Sequence, residues 1–303
     1  MTGTKSSTRR SANILLEGLP YIHQFRDKTI VIKYGGNAMN SVELQRDFCR
    51  DIVLMKSVGL NPVVVHGGGP QISRAIEAAG LKSRFVNGLR VTDRQTMDIV
   101  EKVVTQSINP DLVSMVIEEG WDAFGLGANL GGTFIRAKKL NSDFIDPDSG
   151  MPVEYGFVGD VESIDVQLLQ LESSDNAIPI VAPIGVDQDG LTYNINADTV
   201  AGSVAEAVGA EKLVVLTNTS GILDSQGALI SNLTTSQLEG LIEDRTISDG
   251  MLPKVRCAKH ALDHGVQSVQ IVDGQLPHSA LLEIFTDAGV GTLLVSDESL
   301  DQA

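Results

Sequence analysis

The chain has 303 residues, of which 42% are hydrophobic and 20% charged, with a formal net charge of −16. This composition is ordinary for a globular protein, and the acidic balance argues against general nucleic-acid binding, which needs a basic surface. No apolar run is long enough to span a membrane and the start, MTGTKSSTRR, lacks the apolar segment of a secretory signal, so we expect a cytoplasmic protein without membrane or nucleic-acid partners.

An amphipathic helix is predicted at residues 11–26. Leu15, Leu19 and Ile22 share one helical face, and Pro20 should kink the helix or divide it in two. A segment this short is not stable alone. It therefore packs either on another subunit or back on its own domain.

A buried strand and a glycine turn are predicted at residues 29–36, TIVIKYGG. Lys33 stands where the strand leaves the sheet, and Gly35 and Gly36 let the backbone turn and approach a ligand. Ligands of open α/β sheets bind at the carboxyl ends of strands. A lysine there, beside bare amides and a helix at 42–58, suits a phosphate group. For this stretch alone, a solvated lysine is the alternative interpretation.

The same pattern recurs at residues 61–70, NPVVVHGGGP. A buried strand is followed by three glycines and by a helix that begins at Pro70. Two such loops in succession favour a pair of anion-binding turns over two purely structural turns. His66 is a candidate base, but a histidine without a partner in the sequence is more often structural.

Arg90 lies in the turn-rich segment NGLRVTD. It is either a surface arginine or a clamp that binds a carboxylate through two parallel hydrogen bonds.

Helices are predicted at 94–107 and 111–119. Residues 123–161 alternate apolar stretches with Gly, Asn and Asp, which predicts hairpins.

The second half begins with a predicted strand at 178–184. Asp198 follows in the segment NINAD, just before an alanine-rich helix, and the N-cap of that helix is its commonest structural role. Lys254, in DGMLPK, is a second lysine beside a glycine turn and a helix. Further helices are predicted at 199–208, 255–263 and 280–287, and further strands at 212–217, 268–273 and 292–295.

The alternation of strands and helices predicts an α/β fold, a three-layer αβα sandwich around an open, mostly parallel sheet. The length allows two lobes, but no linker divides the chain, so we expect both lobes to share one sheet. The predicted units are a tail and oligomerisation helix at 1–27, an N-lobe at 28–192 and a C-lobe at 193–303. Cys49 and Cys257 are expected to be core residues rather than a disulfide.

Five motifs follow one another along the chain: IKYGG, HGGGP, GLRVTD, NINAD and GMLPK. Together they resemble the amino acid kinase family from about residue 29 to residue 295. HGGGP with GLRVTD is similar to the N-acetylglutamate-specific branch rather than to the aspartate, carbamate, glutamate 5- or UMP kinases. The resemblance implies ATP-dependent phosphorylation of the side-chain carboxylate of N-acetyl-L-glutamate, the second step of arginine biosynthesis. Such a carboxylate is already ionised at neutral pH, so it needs no general base.

The resemblance assigns catalytic roles to Lys33, Lys254 and Asp198. The two lysines would flank the transferred phosphoryl group, and the aspartate would orient both. The N-lobe would bind N-acetylglutamate and form a dimer, and the C-lobe would bind ATP, with Mg²⁺ held by the nucleotide phosphates rather than by protein ligands. The implied phosphate contacts are Gly35, Gly36, Gly67 and Gly68; the substrate contacts are Gly68, Gly69, Arg90 and Asn194; the nucleotide contacts are Thr217, Asn218, Gly221, Gly250 and Met251.

The first helix and the segment LLEIFTDAGVGT resemble those of the arginine-inhibited, hexameric members of the family. This resemblance implies a homohexamer built as a trimer of dimers, with feedback inhibition by arginine. Glu283 would pair with arginine, Gly289 and Gly291 would offer backbone groups, and Tyr21 would close the site from the helix. A helix-surface acid is the other interpretation of Glu283. Photosynthetic members of the family also bind the PII signalling protein, which is a further candidate partner.

Three positions depart from the family pattern. Asn218 stands where an aspartate is usual, residues 108–110 are Ile-Asn-Pro instead of Val-Asn-Lys, and GLGANLGG replaces a differently spaced glycine turn. None of these departures changes Lys33, Lys254, Asp198 or Arg90 themselves, so we expect an active kinase. The alternatives are an aspartate or glutamate kinase of the same family and a non-catalytic arginine-sensing module, against which both retained lysines argue.

Overall fold

The computed structural model describes residues 16–128, 130, 132–141, 144–145, 150–172, 176–247, 249–286 and 289–300. The strands are β1 (Thr29–Tyr34), β2 (Asn61–His66), β3 (Arg84–Val86), β4 (Leu89–Val91), β5 (Ala123–Leu126), β6 (Ile135–Lys139), β7 (Gly159–Ile164), β8 (Ile178–Val181), β9 (Ile184–Val186), β10 (Thr192–Asn194), β11 (Lys212–Thr217), β12 (Asn232–Thr234), β13 (Ser268–Asp273) and β14 (Thr292–Val295).

The α-helices are α1 (Leu19–Phe25), α2 (Val42–Ser57), α3 (Gly69–Ala78), α4 (Arg94–Val103), α5 (Asn109–Glu118), α6 (Val166–Glu172), α7 (Ala197–Ala207), α8 (Thr235–Glu243), α9 (Leu252–Asp263), α10 (Ser279–Phe285) and α11 (Asp297–Leu300). Short 3₁₀ helices follow β1 at Gly36–Asn40 and precede α9 at Asp249–Met251. In the described part of the chain, no helix combines the length and apolar character that crossing a membrane requires.

One eight-stranded sheet runs through both halves of the chain, in the order β12-β14-β13-β11-β1-β2-β8-β5. Neighbouring strands are parallel except for β13 and β14. The prediction of one continuous, mostly parallel sheet is therefore confirmed. Because β1 lies beside β2 on one side and β11 on the other, the carboxyl ends of these three strands meet at the same edge.

Helices cover both faces of this sheet. Val31 of β1 faces a core that includes Val200 of α7, whereas its neighbours Ile30 and Ile32 face a second core that includes Ile52 of α2. All five side chains are fully buried. A strand enclosed on both faces needs a continuous apolar run, which is why TIVI was recognisable in the sequence. The three-layer αβα prediction is confirmed.

The prediction for the start of the 123–161 segment is wrong. Residues 123–126 were expected in a hairpin, but β5 is an edge strand of the large sheet and pairs in parallel with β8. Its Gly125 is not a turn residue: a Cβ there would lie 2.2 Å from the Asn109 side-chain oxygen, so the glycine permits close packing. The hairpin prediction does hold for β6 and β7, which are antiparallel.

The strand expected at 178–184 is two strands in different sheets. β8 belongs to the large sheet, and β9 joins a smaller sheet of order β10-β9-β6-β7. Pro183 lies between them and has no N–H to continue a ladder of hydrogen bonds. Similarly, the helices expected at 94–107 and 111–119 form one run, because a π-helical segment at Val104–Ile108 joins α4 to α5.

The first helix is divided at Gly18, and Pro20 lies in the first turn of α1, as predicted. Phe25 at the end of α1 is 5% exposed and packs in the chain's own core. Leu16 and Leu19, by contrast, are 63% and 42% exposed. The helix thus packs on its own domain and still presents apolar side chains outward. Cys49 and Cys257 are buried and unpaired, which confirms the prediction for both.

Candidate active site

Two lysines from different parts of the fold share one carboxylate. Lys33, near the end of β1, places Nζ 3.1 Å from Asp198 Oδ1, and Lys254, in the first turn of α9, places Nζ 3.1 Å from Asp198 Oδ2. Burial opposes ionisation of Asp198, but the charges of Lys33 and Lys254 outweigh it and hold its pKa below the ordinary value. The carboxylate is therefore ionised at neutral pH and fixes both ammonium groups in place.

Asp198 is not the N-cap of α7, contrary to its commonest structural role. Asn196 caps this helix instead, because its side-chain oxygen accepts hydrogen bonds from the backbone N–H groups of Asp198 and Thr199, at 2.8 and 3.3 Å. The backbone of Asp198 is thus held by the cap, while its carboxylate stays available to the lysines. The sequence pattern indicated Asp198 as the cap and did not identify Asn196 in that role.

The two glycine loops touch each other. The N–H of Gly67 donates to the Tyr34 carbonyl at 2.6 Å, and a Cβ at Gly35 would lie 3.7 Å from the Gly67 Cα. Gly36 has φ of 73°, a conformation that favours glycine. A Cβ at Gly36 would also lie 2.4 Å from the Asn218 side-chain oxygen. Both loops therefore present backbone rather than side chains to the same space.

Helix α3 begins at the second glycine loop without a side-chain cap. Gly68 is its N-cap residue and makes no side-chain hydrogen bond, so the first amides of α3 remain available to an anion. A Cβ at Gly68 would lie 2.7 Å from Ile108 Cδ1. A side chain at position 68 would therefore require Ile108 to move.

Arg90 is 6% exposed, so it is not the surface arginine that the sequence allowed. It lies on β4 of the β3–β4 hairpin. Its Nη2 donates to Ser73 Oγ at 2.9 Å and to the Gly69 carbonyl at 3.3 Å, its Nη1 donates to Ser83 Oγ, and its guanidinium carbon lies 4.5 Å from the centre of the Phe85 ring. Among the described residues it has no ion-pair partner, which leaves its charge for a ligand.

His66 is fully buried and structural. Its Nδ1 lies 2.8 Å from the Gly67 carbonyl, and its Nε2 lies 3.1 Å from Asn109 Nδ2. An Nδ1–H tautomer satisfies both contacts, because it donates to Gly67 and accepts from Asn109. Burial lowers the pKa of His66 to about 4, so the ring is neutral at physiological pH and anchors the glycine loop.

These groups line one cleft of about 270 Å³ at the carboxyl ends of β1 and β2. Its lining includes Lys33, Lys254 and Arg90 but only one carboxylate, that of Asp198. A protein of net charge −16 thus gathers positive charge where an anion would bind. The predicted site residues that line it are Lys33, Gly36, Gly67, Gly68, Gly69, Arg90, Asn194, Asp198 and Lys254; Gly35 lies directly beside Lys33.

The five predicted nucleotide contacts are not among the residues that line that cleft. Asn218 follows β11, and its side-chain oxygen accepts the N–H of Asn37 at 2.7 Å. The Gly250 carbonyl accepts from Lys254 Nζ at 3.4 Å. Thr217 ends β11, Gly221 lies beside Thr292 of β14, and Met251 ends the 3₁₀ helix before α9.

A second cavity of about 300 Å³ brings together Tyr21, Glu283, Gly289 and Gly291, the four residues predicted for arginine. Glu283 is 6% exposed, which rules out the helix-surface interpretation. Its carboxylate accepts hydrogen bonds from Gln270 Nε2 and, at 2.7 Å, from the N–H of Val290.

Sequence reasoning missed several residues of both sites. The hydroxyls of Ser73 and Ser83 hold Arg90, and Lys212 and Gln270 line the second cavity. Burial lowers the pKa of Lys212, although the charge of Glu283 opposes that shift. Lys212 had one recognisable signal, a charged residue inside a buried strand. The serines had none, because their role depends on how a helix packs against a hairpin.

Comparisons with known proteins identify relatives of this chain. The model of the amino acid kinase family matches residues 28–273. A protein named acetylglutamate kinase from Stutzerimonas stutzeri is 50% identical over 300 residues, which cover 98% of this chain and 100% of that protein. Another from a Marinomonas species is 51% identical over 296 residues, 97% of this chain and 98% of that one.

Among solved structures, N-acetylglutamate synthase from Neisseria gonorrhoeae, complexed with coenzyme A and N-acetyl-glutamate, matches with a TM-score of 0.81 at 26% identity. The match covers 94% of this chain and 63% of that chain, less than two thirds of the synthase. The same synthase complexed with coenzyme A and L-arginine matches with a TM-score of 0.78 at 26% identity, over 94% of this chain and 65% of that one.

Proposed function

This chain belongs to the amino acid kinase family, and we infer that it transfers the terminal phosphoryl group of ATP to the side-chain carboxylate of N-acetyl-L-glutamate. The products are an acyl phosphate and ADP. This is the second step of arginine biosynthesis. The observation that supports it best is the charged cleft, where Lys33 and Lys254 flank Asp198 at 3.1 Å each and Arg90 is buried opposite without an ion-pair partner among the described residues.

The chemical problem in this reaction is charge, because an anionic nucleophile must approach a polyanionic nucleotide. The substrate carboxylate is already ionised, so no base has to remove a proton. We propose that Lys33 and Lys254 stabilise the negative charge on the transferred phosphoryl oxygens, while Asp198 keeps them in position. The neutral, buried His66 agrees with a mechanism that uses no histidine base.

Backbone groups would complete the phosphate site. We propose that the amides around Gly35, Gly36, Gly67 and Gly68 contribute from two adjoining loops, where α3 begins without a side-chain cap. The N–H of Gly67 itself already donates to the Tyr34 carbonyl, so this loop would contribute through its neighbouring amides. Such amides are fixed before the ligand arrives, so little reorganisation is needed during the reaction. Mg²⁺ bound to the nucleotide phosphates would neutralise part of their charge. We propose that the remaining nucleotide contacts come from five residues: Thr217, Asn218, Gly221, Gly250 and Met251.

Arg90 and Asn194 are proposed to bind the other end of the substrate. The Arg90 guanidinium is held by two serines and by Phe85, which suits paired hydrogen bonds to the α-carboxylate. The Asn194 amide, which donates to Thr92 Oγ1 at 3.4 Å, can exchange that long contact for the acetamido group of the substrate. Together they would select an N-acetylated amino acid.

A hydroxylamine trap tests the reaction, because hydroxylamine converts an acyl phosphate into a coloured hydroxamate. We expect product with ATP and N-acetylglutamate and much less with glutamate or aspartate. Product with aspartate alone would overturn the proposed substrate. No product with any of the three would favour the non-catalytic arginine-sensing alternative.

Two lysines of the same helix provide a matched pair of variants. Lys254→Ala should abolish most turnover, whereas Lys259→Ala, which removes a partly exposed lysine paired with Glu239 and Asp263, should retain it. Unchanged turnover in Lys254→Ala would contradict the mechanism with two lysines.

We further propose that the second cavity binds L-arginine as a feedback inhibitor. Its lining offers the buried carboxylate of Glu283 for a guanidinium or amino group and the Lys212 ammonium for an α-carboxylate. Tyr21 links this cavity to α1. The exposed side chains of Leu19 at the start of α1 and of Leu16 just before it suit contact with another subunit. Arginine would then act through the geometry between subunits of a homohexamer.

Substitution of both exposed leucines tests the oligomer without removing Phe25 from the core. Leu16→Ser with Leu19→Ser should convert hexamers into dimers in sedimentation and weaken inhibition by arginine. A wild-type protein that sediments as a monomer, or unchanged inhibition in the variant, would contradict this regulatory proposal. The PII partner and the cytoplasmic location stay predictions from the sequence.

A further inference from the structure

Three metal-ligand side chains meet on the surface of the second half of the chain, outside the lining of either site described above. Glu206 belongs to the last turn of α7, His260 to the last turn of α9, and His264 is the C-cap of α9. We propose that these three residues form a binding site for Zn²⁺. This site goes beyond the proposed kinase activity and does not depend on it.

The geometry is close to that of a three-ligand zinc site. One ligand atom from each residue lies within 4.8 Å of the other two, and His260 Nε2 is 3.0 Å from Glu206 Oε2. Ligand atoms of tetrahedral zinc with bonds of about 2.0–2.1 Å lie roughly 3.4 Å apart. All three residues are exposed, so rotation of their side chains can close the remaining gap. Two imidazoles, one carboxylate and one open position for water form a known zinc ligand set.

A contact with the backbone sets the tautomer of His264. His264 Nδ1 lies 2.7 Å from the His260 carbonyl, and a carbonyl oxygen can only accept, so Nδ1 carries the proton. This tautomer leaves the lone pair of Nε2 for a metal. Metal-binding histidines in proteins usually donate their other N–H to such an acceptor. Among the described residues, no other group of three such side chains comes this close.

The electrostatic setting also favours a cation. Both helices end at this cluster, so the negative ends of two helix dipoles point toward it. The protein as a whole carries a net charge of −16. The mixture of imidazole nitrogen and carboxylate oxygen suits zinc rather than Mg²⁺, which prefers oxygen ligands in an octahedron.

The site joins the two helices that carry the central ion pair of the cleft. Asp198 meets Lys254 at their N-terminal ends, Gly202 packs against Cys257 in the middle, and Glu206 meets His260 at their C-terminal ends. The helices thus run side by side in the same direction. At 1.5 Å per residue, the cluster lies about 12 Å along α7 from Asp198. Bound Zn²⁺ would fasten the far ends of this pair of helices.

Calorimetric titration of the full chain with Zn²⁺ tests the site directly. We expect saturable binding of one ion per chain that excess Mg²⁺ does not displace. Loss of a residue that only supports a metal ligand typically lowers metal affinity about tenfold or more. Loss of a direct ligand should lower it at least as much, so His264→Gln and Glu206→Gln should each weaken Zn²⁺ binding about tenfold or more. His23→Gln, which changes an exposed histidine on α1, is the matched control.

Co²⁺ provides a second measurement that reports geometry. In the wild type, Co²⁺ should give the intense visible absorption of a four-coordinate site, and His264→Gln should lose it. If the wild type binds no Zn²⁺ at a single saturable site, or if both ligand variants bind as tightly as His23→Gln, the cluster is only a surface ion pair. Because calorimetry reads binding rather than turnover, these outcomes leave the kinase proposal unaffected.

Discussion

Lys33 and Lys254 bind opposite oxygens of the same carboxylate, each at 3.1 Å. The two lysines come from distant parts of the chain, and their positive charges would repel each other without Asp198 between them. The capped start of α7 fixes that carboxylate, because Asn196 holds the backbone N–H groups around it. The spacing of the two ammonium groups is therefore set before any phosphate enters the cleft.

Replacing Asp198 by Asn should preserve shape but remove the charge that orients both lysines. We expect kcat to fall about 10²- to 10³-fold, comparable with the loss of one preorganised group at a developing charge. The free energy of unfolding should also fall by about 1–3 kcal/mol, because the variant leaves buried Lys33 without its counter-charge. Steady-state kinetics and urea unfolding measure the two effects.

Asp263→Asn is the matched control for that variant. Asp263 also pairs with a lysine, Lys259 at 2.7 Å, but on the exposed surface of α9. Loss of such an exposed pair changes stability by less than about 1 kcal/mol. If Asp198→Asn behaved like Asp263→Asn, the orienting role of Asp198 would be wrong.

Arg90→Lys should separate substrate binding from nucleotide binding. Lysine keeps the positive charge but cannot make two parallel hydrogen bonds while also contacting Ser73 and Ser83. We expect KM for N-acetylglutamate to rise about 10- to 100-fold, the cost of losing a hydrogen bond to a charged group, and KM for ATP to change little. Arg94→Lys, which alters an exposed arginine paired with Asp98, should change neither. A rise confined to KM for ATP would place Arg90 at the wrong end of the cleft.

Much of the fold was predictable because local sequence patterns determine it. TIVI in β1 and the strand at 212–217 are buried on both faces, so their apolar runs identify them without knowledge of the rest. The glycine loops after β1 and β2 were recognisable for a similar reason. In each case glycines follow a buried strand and precede a helix, and the binding of an anion at these loops stays a prediction.

The rest depended on contacts between distant residues. Gly125 lies in the segment 123–161 for which the sequence predicts hairpins, but it permits Asn109 to pack on β5. No residue near position 125 in the sequence indicates that contact. In the same way, Glu283 is an ordinary helix acid in the sequence. Its burial follows from Gln270 and Val290, which the fold brings against it. The location of the nucleotide contacts around the cleft likewise stays a prediction.

His66 should make the free energy of unfolding depend on pH in the acidic range. Its pKa in the folded protein is about 4, whereas an exposed histidine in the unfolded chain titrates near 6.5. Between these values the unfolded state binds one more proton than the folded state, so the free energy of unfolding falls as pH falls. For one group the slope is about 1.4 kcal/mol per pH unit.

We expect His66→Gln to reduce the slope of the unfolding free energy against pH, between pH 6.5 and pH 4, by about 1.4 kcal/mol per pH unit. The glutamine also loses part of the contact with Asn109, so the variant should be less stable at pH 7. The test depends on the slope alone, and an unchanged slope would mean that His66 is protonated within the folded protein.

Glu283→Gln should relieve inhibition by arginine while leaving phosphoryl transfer intact. The amide keeps the size of the carboxylate and can still accept the N–H of Val290, so the cavity should retain its shape. It loses the negative charge that would pair with the cationic ligand. A hydrogen bond between charged groups contributes about 1.5–3 kcal/mol, so the arginine concentration for half-inhibition should rise roughly 10- to 100-fold. Glu239→Gln, an exposed acid on α8, is the control. Inhibition that stayed at the wild-type level in Glu283→Gln would place the arginine site elsewhere.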